Sequence, residues 1–181
     1  MKILLHTCCA PCSVKCIETL RAEGTEPALL WYNPNIHPYT EYRQRLATLA
    51  QYSADINAEL ITHDEYGLRD FVEKTRGAEN RCAVCYRMRL SHTALAAAQN
   101  GFAAFSTTLL VSPYQNHELL ASIAEEVAAE TGVAFLYRDF RPLFRQGQTE
   151  ARRKELYMQK YCGCIFSEEE RYLNKDKKKE G

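Results

Sequence analysis

Residues 2–32, KILLHTCCAPCSVKCIETLRAEGTEPALLWY, decide the fold. Lys2 to His6 is a short apolar run of strand length, ended by Thr7, Cys8 and Cys9. Pro11 suits a first helical turn, where its missing N–H would be unpaired anyway, and Pro11 to Ala22 reads as a helix that stops at Gly24. Pro27 to Tyr32 is a second apolar run. Strand, helix, strand at this spacing is the repeating unit of a parallel sheet covered by helices.

The alternation continues along the chain. After the turn Asn33-Pro34-Asn35, Glu41 to Tyr52 carries a helical stripe of Tyr42, Leu46, Leu49 and Ala50. Glu59 to Thr62 is a third strand, and Leu68 to Lys74 a short helix. Cys82 opens a longer helix, Ala83 to Gln99, stopped by Asn100-Gly101. Ala103 to Leu110 reads as a fourth strand, His117 to Glu130 as an amphipathic helix ended by Gly132, and Val133 to Tyr137 as a fifth strand. From Gln148 to about Leu173 the pattern is helical, broken at Cys162-Gly163-Cys164, with Ser167 and Glu170 as a capping box for the last helix. The expected fold is therefore α/β: a Rossmann-like doubly wound, mainly parallel sheet of about five strands, with helices on both faces and a helical C-terminal extension. Residues 1–173 form one domain and 174–181 a disordered polar tail. In such sheets the chemistry lies beyond the carboxyl ends of the strands, which puts His6-Thr7-Cys8-Cys9 there and brings Ser106-Thr107-Thr108 toward the same crevice.

The bulk numbers remove several classes. With 181 residues, 46% hydrophobic and 25% charged, the chain can bury one ordinary core. Lys and Arg total 23, as do Asp and Glu, so no overall field draws it to nucleic acid or membrane, and any polyanion site must be local. No run approaches the roughly 20 apolar residues of a membrane span, and His6 ends the first apolar run too early for a signal peptide. The chain reads as cytoplasmic. In that compartment eight cysteines point to metal or redox chemistry rather than to a static disulfide framework.

The thiols fall into three groups: Cys8-Cys9-x-x-Cys12, Cys82-x-x-Cys85 and Cys162-x-Cys164. Cys12 and Cys85 are expected in first helical turns, where the dipole and free N–H groups favour thiolate. Cys16, one turn beyond Cys12, reads as a buried thiol. A closed zinc site needs only four thiolates, whereas seven cysteines stand in these groups, a surplus that suits electron transfer or a second metal. A disulfide between Cys162 and Cys164 would close a small, strained and therefore reducible ring, which Gly163 makes feasible.

The blocks LLHTCCAPCS, YNPNIHP, RCAVCYRMRL, STTLLVSPYQNHE and YCGCIFSEEER, in this order, resemble the QueH-type epoxyqueuosine reductases from Ile3 to about Tyr172, with only Cys16 outside the family pattern. The resemblance implies reduction of epoxyqueuosine to queuosine at the wobble position of tRNA. It also implies a 4Fe–4S cluster, its ligands assigned to Cys8, Cys9, Cys82 and Cys85, with Cys162 and Cys164 as a redox-active pair. Cys12 is left as a candidate ligand, together with Cys162 and Cys164, for an additional mononuclear iron. The family fold is related to nucleotide-binding domains in which the first strand leads into a glycine-rich phosphate loop. Here that loop has no glycine and Pro11 removes an N–H, so no ATP dependence is expected.

Removing an epoxide oxygen to leave an alkene takes two electrons and two protons and releases water; a dithiol supplies two electrons and a cluster one at a time. The expected partners are the anticodon loop of tRNA and an unidentified electron donor, with no membrane. Arg138 to Lys154 holds six basic residues against two acidic, a local net charge of +4. Arg141 and Arg145, with Arg87 and Arg89 near the cysteines, are candidates for phosphates, and Tyr114, Tyr137 and Phe140 for base stacking. His6, Tyr86 and His117 are candidate proton donors, although a histidine inside a strand usually belongs to the core. Two rival functions remain: a zinc-stabilised RNA-binding domain without catalysis, and a thiol–disulfide oxidoreductase acting on proteins.

Overall fold

The structure, a computed structural model, describes residues 1–177, with side chains through Leu173. Five parallel strands form one sheet: β1 (Lys2–His6), β2 (Glu26–Trp31), β3 (Leu60–Thr62), β4 (Ala104–Thr107) and β5 (Ala134–Phe135). Their order is β3-β2-β1-β4-β5. The chain winds outward from β1 to β3, then returns to β4 on the other side, so the topological switch point lies between β1 and β4. There Leu5 sits opposite Ser106 and His6 opposite Thr107.

Seven helices join the strands: α1 (Ala10–Ala22), α2 (Tyr39–Asp55), α3 (Leu68–Thr75), α4 (Arg81–Gln99), α5 (His117–Thr131), α6 (Phe144–Arg153) and α7 (Ile165–Lys177). α1 packs with α2 and α6, and α4 with α3 and α5, two layers with the sheet between them. β1 is buried from Ile3 to His6 because helices cover both faces, which is why it reads as a continuous apolar run. Ile3, Leu5, Leu29, Leu30, Trp31 and Phe105 centre the core. The one tryptophan keeps its indole N–H satisfied, donating to Tyr42 Oη at 3.0 Å. Among the described residues no helix is long and apolar enough to cross a membrane.

Several local readings change. The helix expected from Gln148 begins at Phe144 and ends at Arg153, and residues 154–164 are not helical. The fourth strand stops at Thr107, and Thr108–Val111 is a 3-10 turn instead of more strand. Thr107 Oγ1 accepts from Leu109 N–H at 3.2 Å and so turns the chain under the cysteine loop. α4 starts at Arg81, capped by Asn80 Oδ1 on Ala83 N–H at 3.1 Å, so Cys82 occupies the first turn and Cys85 the second. α7 starts at Ile165, before the expected capping box. Cys164 Sγ accepts from Ser167 N–H at 3.3 Å, while Glu170 pairs with Arg81. α7 runs on to Lys177, so the start of the expected tail is helical; residues 178–181 lie outside the described ones.

Candidate active site

The turn after β1 is held from both neighbouring strands. Thr7 N–H continues the ladder to Leu30 O at 2.9 Å, Asn33 Nδ2 donates to Thr7 O at 3.0 Å, and Cys8 N–H reaches Thr108 Oγ1 at 3.4 Å. His6 beneath it is wholly buried. Nε2 faces two acceptors, Tyr32 O and Asn33 Oδ1, each at 3.2 Å, so it carries the proton, and Nδ1 accepts from Thr107 Oγ1 at 3.0 Å. Burial, with Arg89 nearby, holds its pKa down to about 4. This is a structural histidine rather than a proton donor at neutral pH.

Cys9 is the extended residue that caps α1, Pro11 lies at the start of the helix and Cys12 completes its first turn. This folding brings the sulfur atoms of Cys8, Cys9 and Cys12 within 4.8 Å of one another, all buried. Cys8 Sγ and Cys9 Sγ are 3.8 Å apart. Hydrogen bonds from Cys12 and Cys9 hold Cys8 well below the ordinary thiol range. Burial and its bonds to Cys12 and Cys8 push Cys9 up, and the bond to Cys8 pushes Cys12 up. The expected thiolate preference at Cys12 thus passes to Cys8. Gln159 Nε2 donates to Cys9 Sγ at 2.9 Å and Cys12 Sγ at 3.3 Å, leaving its Oε1 buried without a partner. Cys16 is buried and donates to Cys12 O at 3.3 Å.

Cys82 and Cys85 stand outside this group of three. Cys85 is buried and Cys82 exposed. Burial pushes the Cys85 thiol up to about 12, against the opposing charge of Arg89, so the helix dipole does not make it a thiolate. Charge nonetheless ties it to the third group: Cys162 and Cys164 both act on Cys82 and Cys85.

The Cys162-Gly163-Cys164 turn is clamped by two residues distant in sequence. Arg45, buried on α2, donates to Cys162 O at 2.9 Å and Tyr161 O at 3.1 Å while pairing with Glu41 at 2.7 Å. His37 N–H donates to Gly163 O at 2.8 Å. Gly163 has φ +148°, and a Cβ there would lie 3.1 Å from Ile36 Cγ1 and 3.4 Å from Arg45 Nη1, so the turn requires glycine. Tyr86 Oη donates to Gln115 Oε1 at 2.7 Å, which aims Gln115 Nε2 at Cys162 Sγ, 3.3 Å away. Tyr86 is thus committed to positioning Gln115. All eight cysteines are free thiols.

A cavity of about 810 Å³ opens at this carboxyl edge, lined by Cys8, Cys12 and Cys162. Its rim carries Arg145, Arg152, Lys160 and Arg171, and Tyr114, 83% exposed, stands beside Phe144. Among the described residues none of these four cations has a carboxylate partner. Arg87 pairs instead with Glu126 and Glu130, and Arg141 with Asp139. Of the residues expected to meet RNA, Arg145 and Tyr114 line the cavity and Arg87 and Arg141 do not. Phe140 belongs to the core, and Tyr137 bonds His117 Nε2 at 2.9 Å. Sequence reasoning missed Arg45, Gln115 and Gln159; Arg89, expected to meet phosphates, is instead 1% exposed, and of the four rim cations only Arg145 was singled out.

The donor set fits a thiophilic metal: soft sulfur ligands suit zinc or iron–sulfur centres, and the buried Arg89 Nη2 and Gln159 Oε1 beside them have no partner in the protein. A family model described as "Epoxyqueuosine reductase QueH" matches residues 3–170. Epoxyqueuosine reductase QueH of Dehalococcoides mccartyi is 39% identical over 172 residues, 94% of each chain. The protein of the same name from Acinetobacter baylyi is 36% identical over 92% of this chain and 80% of its own. A solved structure, a predicted subunit of tRNA methyltransferase from Methanocaldococcus jannaschii, aligns over 83% of this chain and 75% of its own at TM-score 0.55. At 12% identity that likeness speaks for the fold alone.

Proposed function

The chain belongs to the QueH family of epoxyqueuosine reductases, and from that premise we propose how it works: it reduces epoxyqueuosine to queuosine at the wobble position of tRNA, using a sulfur-bound metal centre and a cysteine pair at the β1/β4 switch point. The observation that carries this reading is the convergence of Cys8 and Cys12 with Cys162, 150 residues beyond Cys12, on one cavity. We assign a 4Fe–4S cluster to Cys8, Cys9, Cys82 and Cys85; the chemistry it would supply is one-electron transfer.

The residues of the chain account for the remainder. Cys162 and Cys164, as a dithiol, release two electrons and two protons on closing to a disulfide, which balances loss of the epoxide oxygen as water. Gln115 orients the Cys162 sulfur toward the cavity, and Gly163 gives the turn the freedom to close. Gln159, with Nε2 committed to sulfur, keeps its carbonyl oxygen as a buried, unpartnered acceptor beside the cysteines. Arg145, Arg152, Lys160 and Arg171 meet phosphates, and Tyr114 stacks on a splayed base of the single-stranded loop. Arg87 and Arg141 were equally legible candidates, but their ion pairs leave them less charge to offer.

A second reading has its own observation. Cys12 and Cys162 line the same cavity, so Cys12, Cys162 and Cys164 would be the ligands of an additional mononuclear iron. The deciding experiment is anaerobic reconstitution with iron and sulfide, followed by incubation with epoxyqueuosine-containing tRNA. A brown protein that converts the epoxide to the alkene supports the main reading. Colourless zinc protein that binds tRNA without converting it overturns it. Iron counted in Cys162→Ser and Cys164→Ser then separates the two roles: unchanged iron with lost turnover marks a redox pair, and lost iron marks ligands.

A further inference from the structure

Arg89 is the most anomalous charge in the molecule. It lies on α4 and is 1% exposed. Its Nε donates to Cys85 O at 3.3 Å, its guanidinium carbon is 6.0 Å from the ring of Tyr86, and its Nη2 is buried with no partner. Among the described residues no carboxylate pairs with it. Arg45, equally buried, shows the usual solution: a bound Glu41 and two carbonyls. A guanidinium cannot escape burial by losing its proton, so this charge must be compensated where it stands.

Among the described residues, the titratable groups coupled to its charge are sulfur or neutral. Cys82, Cys85 and Tyr86 come from α4, Cys8 and His6 from the end of β1, and Cys162 from the glycine turn. His6 is fixed as the neutral tautomer and adds no charge.

We propose that Arg89 is the built-in counter-cation of the sulfur centre, a positioning residue whose charge is fully compensated when the assigned ligands beside it, Cys8 and Cys85, carry negative charge around a bound metal. This rests on the reading of that centre as metal-binding. It has two opposite consequences. In the metal-free protein the guanidinium has only the Cys8 sulfur to answer it and no carboxylate, and is a liability; in the loaded protein it stabilises the anionic centre and favours its reduction.

The test compares the full-length protein with Arg89→Met, which keeps the length and loses the charge, and Arg89→Lys, which keeps the charge and loses the fork. Each is measured metal-free and after anaerobic loading with iron and sulfide. The metal-free Arg89→Met protein should unfold at a higher temperature than the metal-free wild type. Loaded, it should lose iron to a chelator about tenfold faster, and its midpoint potential should fall by about 59 mV, the equivalent of a tenfold change in a one-electron equilibrium. Arg89→Lys should recover most of the potential. A merely structural arginine predicts the reverse: a less stable metal-free Arg89→Met and, once loaded, an unmoved potential. That result would overturn the proposal. If Arg89→Met does not fold at all, it has behaved as a structural residue does, and a loaded Arg89→Lys with a potential far from wild type completes the refutation. If the wild type takes up no iron, the iron–sulfur reading falls, while the metal-free unfolding order still decides whether Arg89 is a liability without metal.

Discussion

His37 is buried, and both its ring nitrogens have fixed roles. Nδ1 accepts from Ile165 N–H at 3.2 Å, so Nε2 carries the proton and donates to Pro34 O at 3.0 Å. Only the neutral ring satisfies both bonds, and burial holds its pKa down to about 4 against an unperturbed 6.5. Between these values the unfolded chain binds a proton that the folded chain refuses. Stability is therefore whole above about pH 6.5, falls as the pH drops toward 4, and loses nothing further from this group below that. The loss should be on the order of 2 kcal/mol, read from urea unfolding midpoints across that range. His37→Gln, which cannot titrate, should flatten the slope; an unchanged slope would assign the pH dependence elsewhere. At this scale the sulfur residues were legible and their partners were not. Thiols are rare and their spacing is local, so CCAPC, CAVC and CGC announce themselves. Gln159 meets Cys9 across 150 residues and Arg45 meets Cys162 across 117, and nothing in either residue type marks such a meeting beforehand.

Among the elements, the turn from Tyr161 to Cys164 depends most on its surroundings, because it has no ladder of its own. Arg45 satisfies two of its carbonyls, and Glu41, which holds Arg45, also accepts from Tyr157 Oη at 2.5 Å. Arg45→Met would leave Glu41 buried without its cation and two carbonyls without a donor. The expected cost is about 3 kcal/mol or more, measurable by chemical denaturation, with faster alkylation of Cys162 as the turn loosens. Gly163→Ala should cost on the order of 1–3 kcal/mol through its left-handed φ and its approach to Ile36 and Arg45. A variant as stable as wild type would show that the turn relaxes freely. Strands and helices were readable from their periods, and every expected strand exists. The errors sit where a side chain overrides the local pattern. Thr107 ends β4 early by bonding its own backbone, Asn80 moves the start of α4 back by a turn's fraction, and Cys164 takes the capping role expected of Ser167.

For the whole molecule, neutrality conceals an uneven distribution of charge. The doubly wound topology puts the switch point, the cysteine loop and the mouth of the cavity at one edge, and the C-terminal segment brings Arg145, Arg152, Lys160 and Arg171, without carboxylate partners among the described residues, to its rim. Several basic residues elsewhere are answered: Arg21 by Glu26, Arg43 by Asp64, Arg138 by Glu23, Arg153 by Glu150. The sequence revealed a basic stretch from Arg138 to Lys154 but not which of its charges were free, since that depends on acidic partners brought in by folding. The distinction yields a measurable consequence. If the rim grips phosphates, removing one phosphate-binding cation should lower the slope of log affinity against log salt by about 0.7 for a single-stranded target. Arg152→Gln with Arg171→Gln should thus weaken tRNA binding severalfold at low salt and flatten its salt dependence, while leaving iron content and the unfolding temperature unchanged. Arg87→Gln with Arg141→Gln removes the same formal charge from ion-paired positions and should move the slope far less. Equal slopes in the two double variants would mean that net charge alone, rather than the open rim, draws the RNA in.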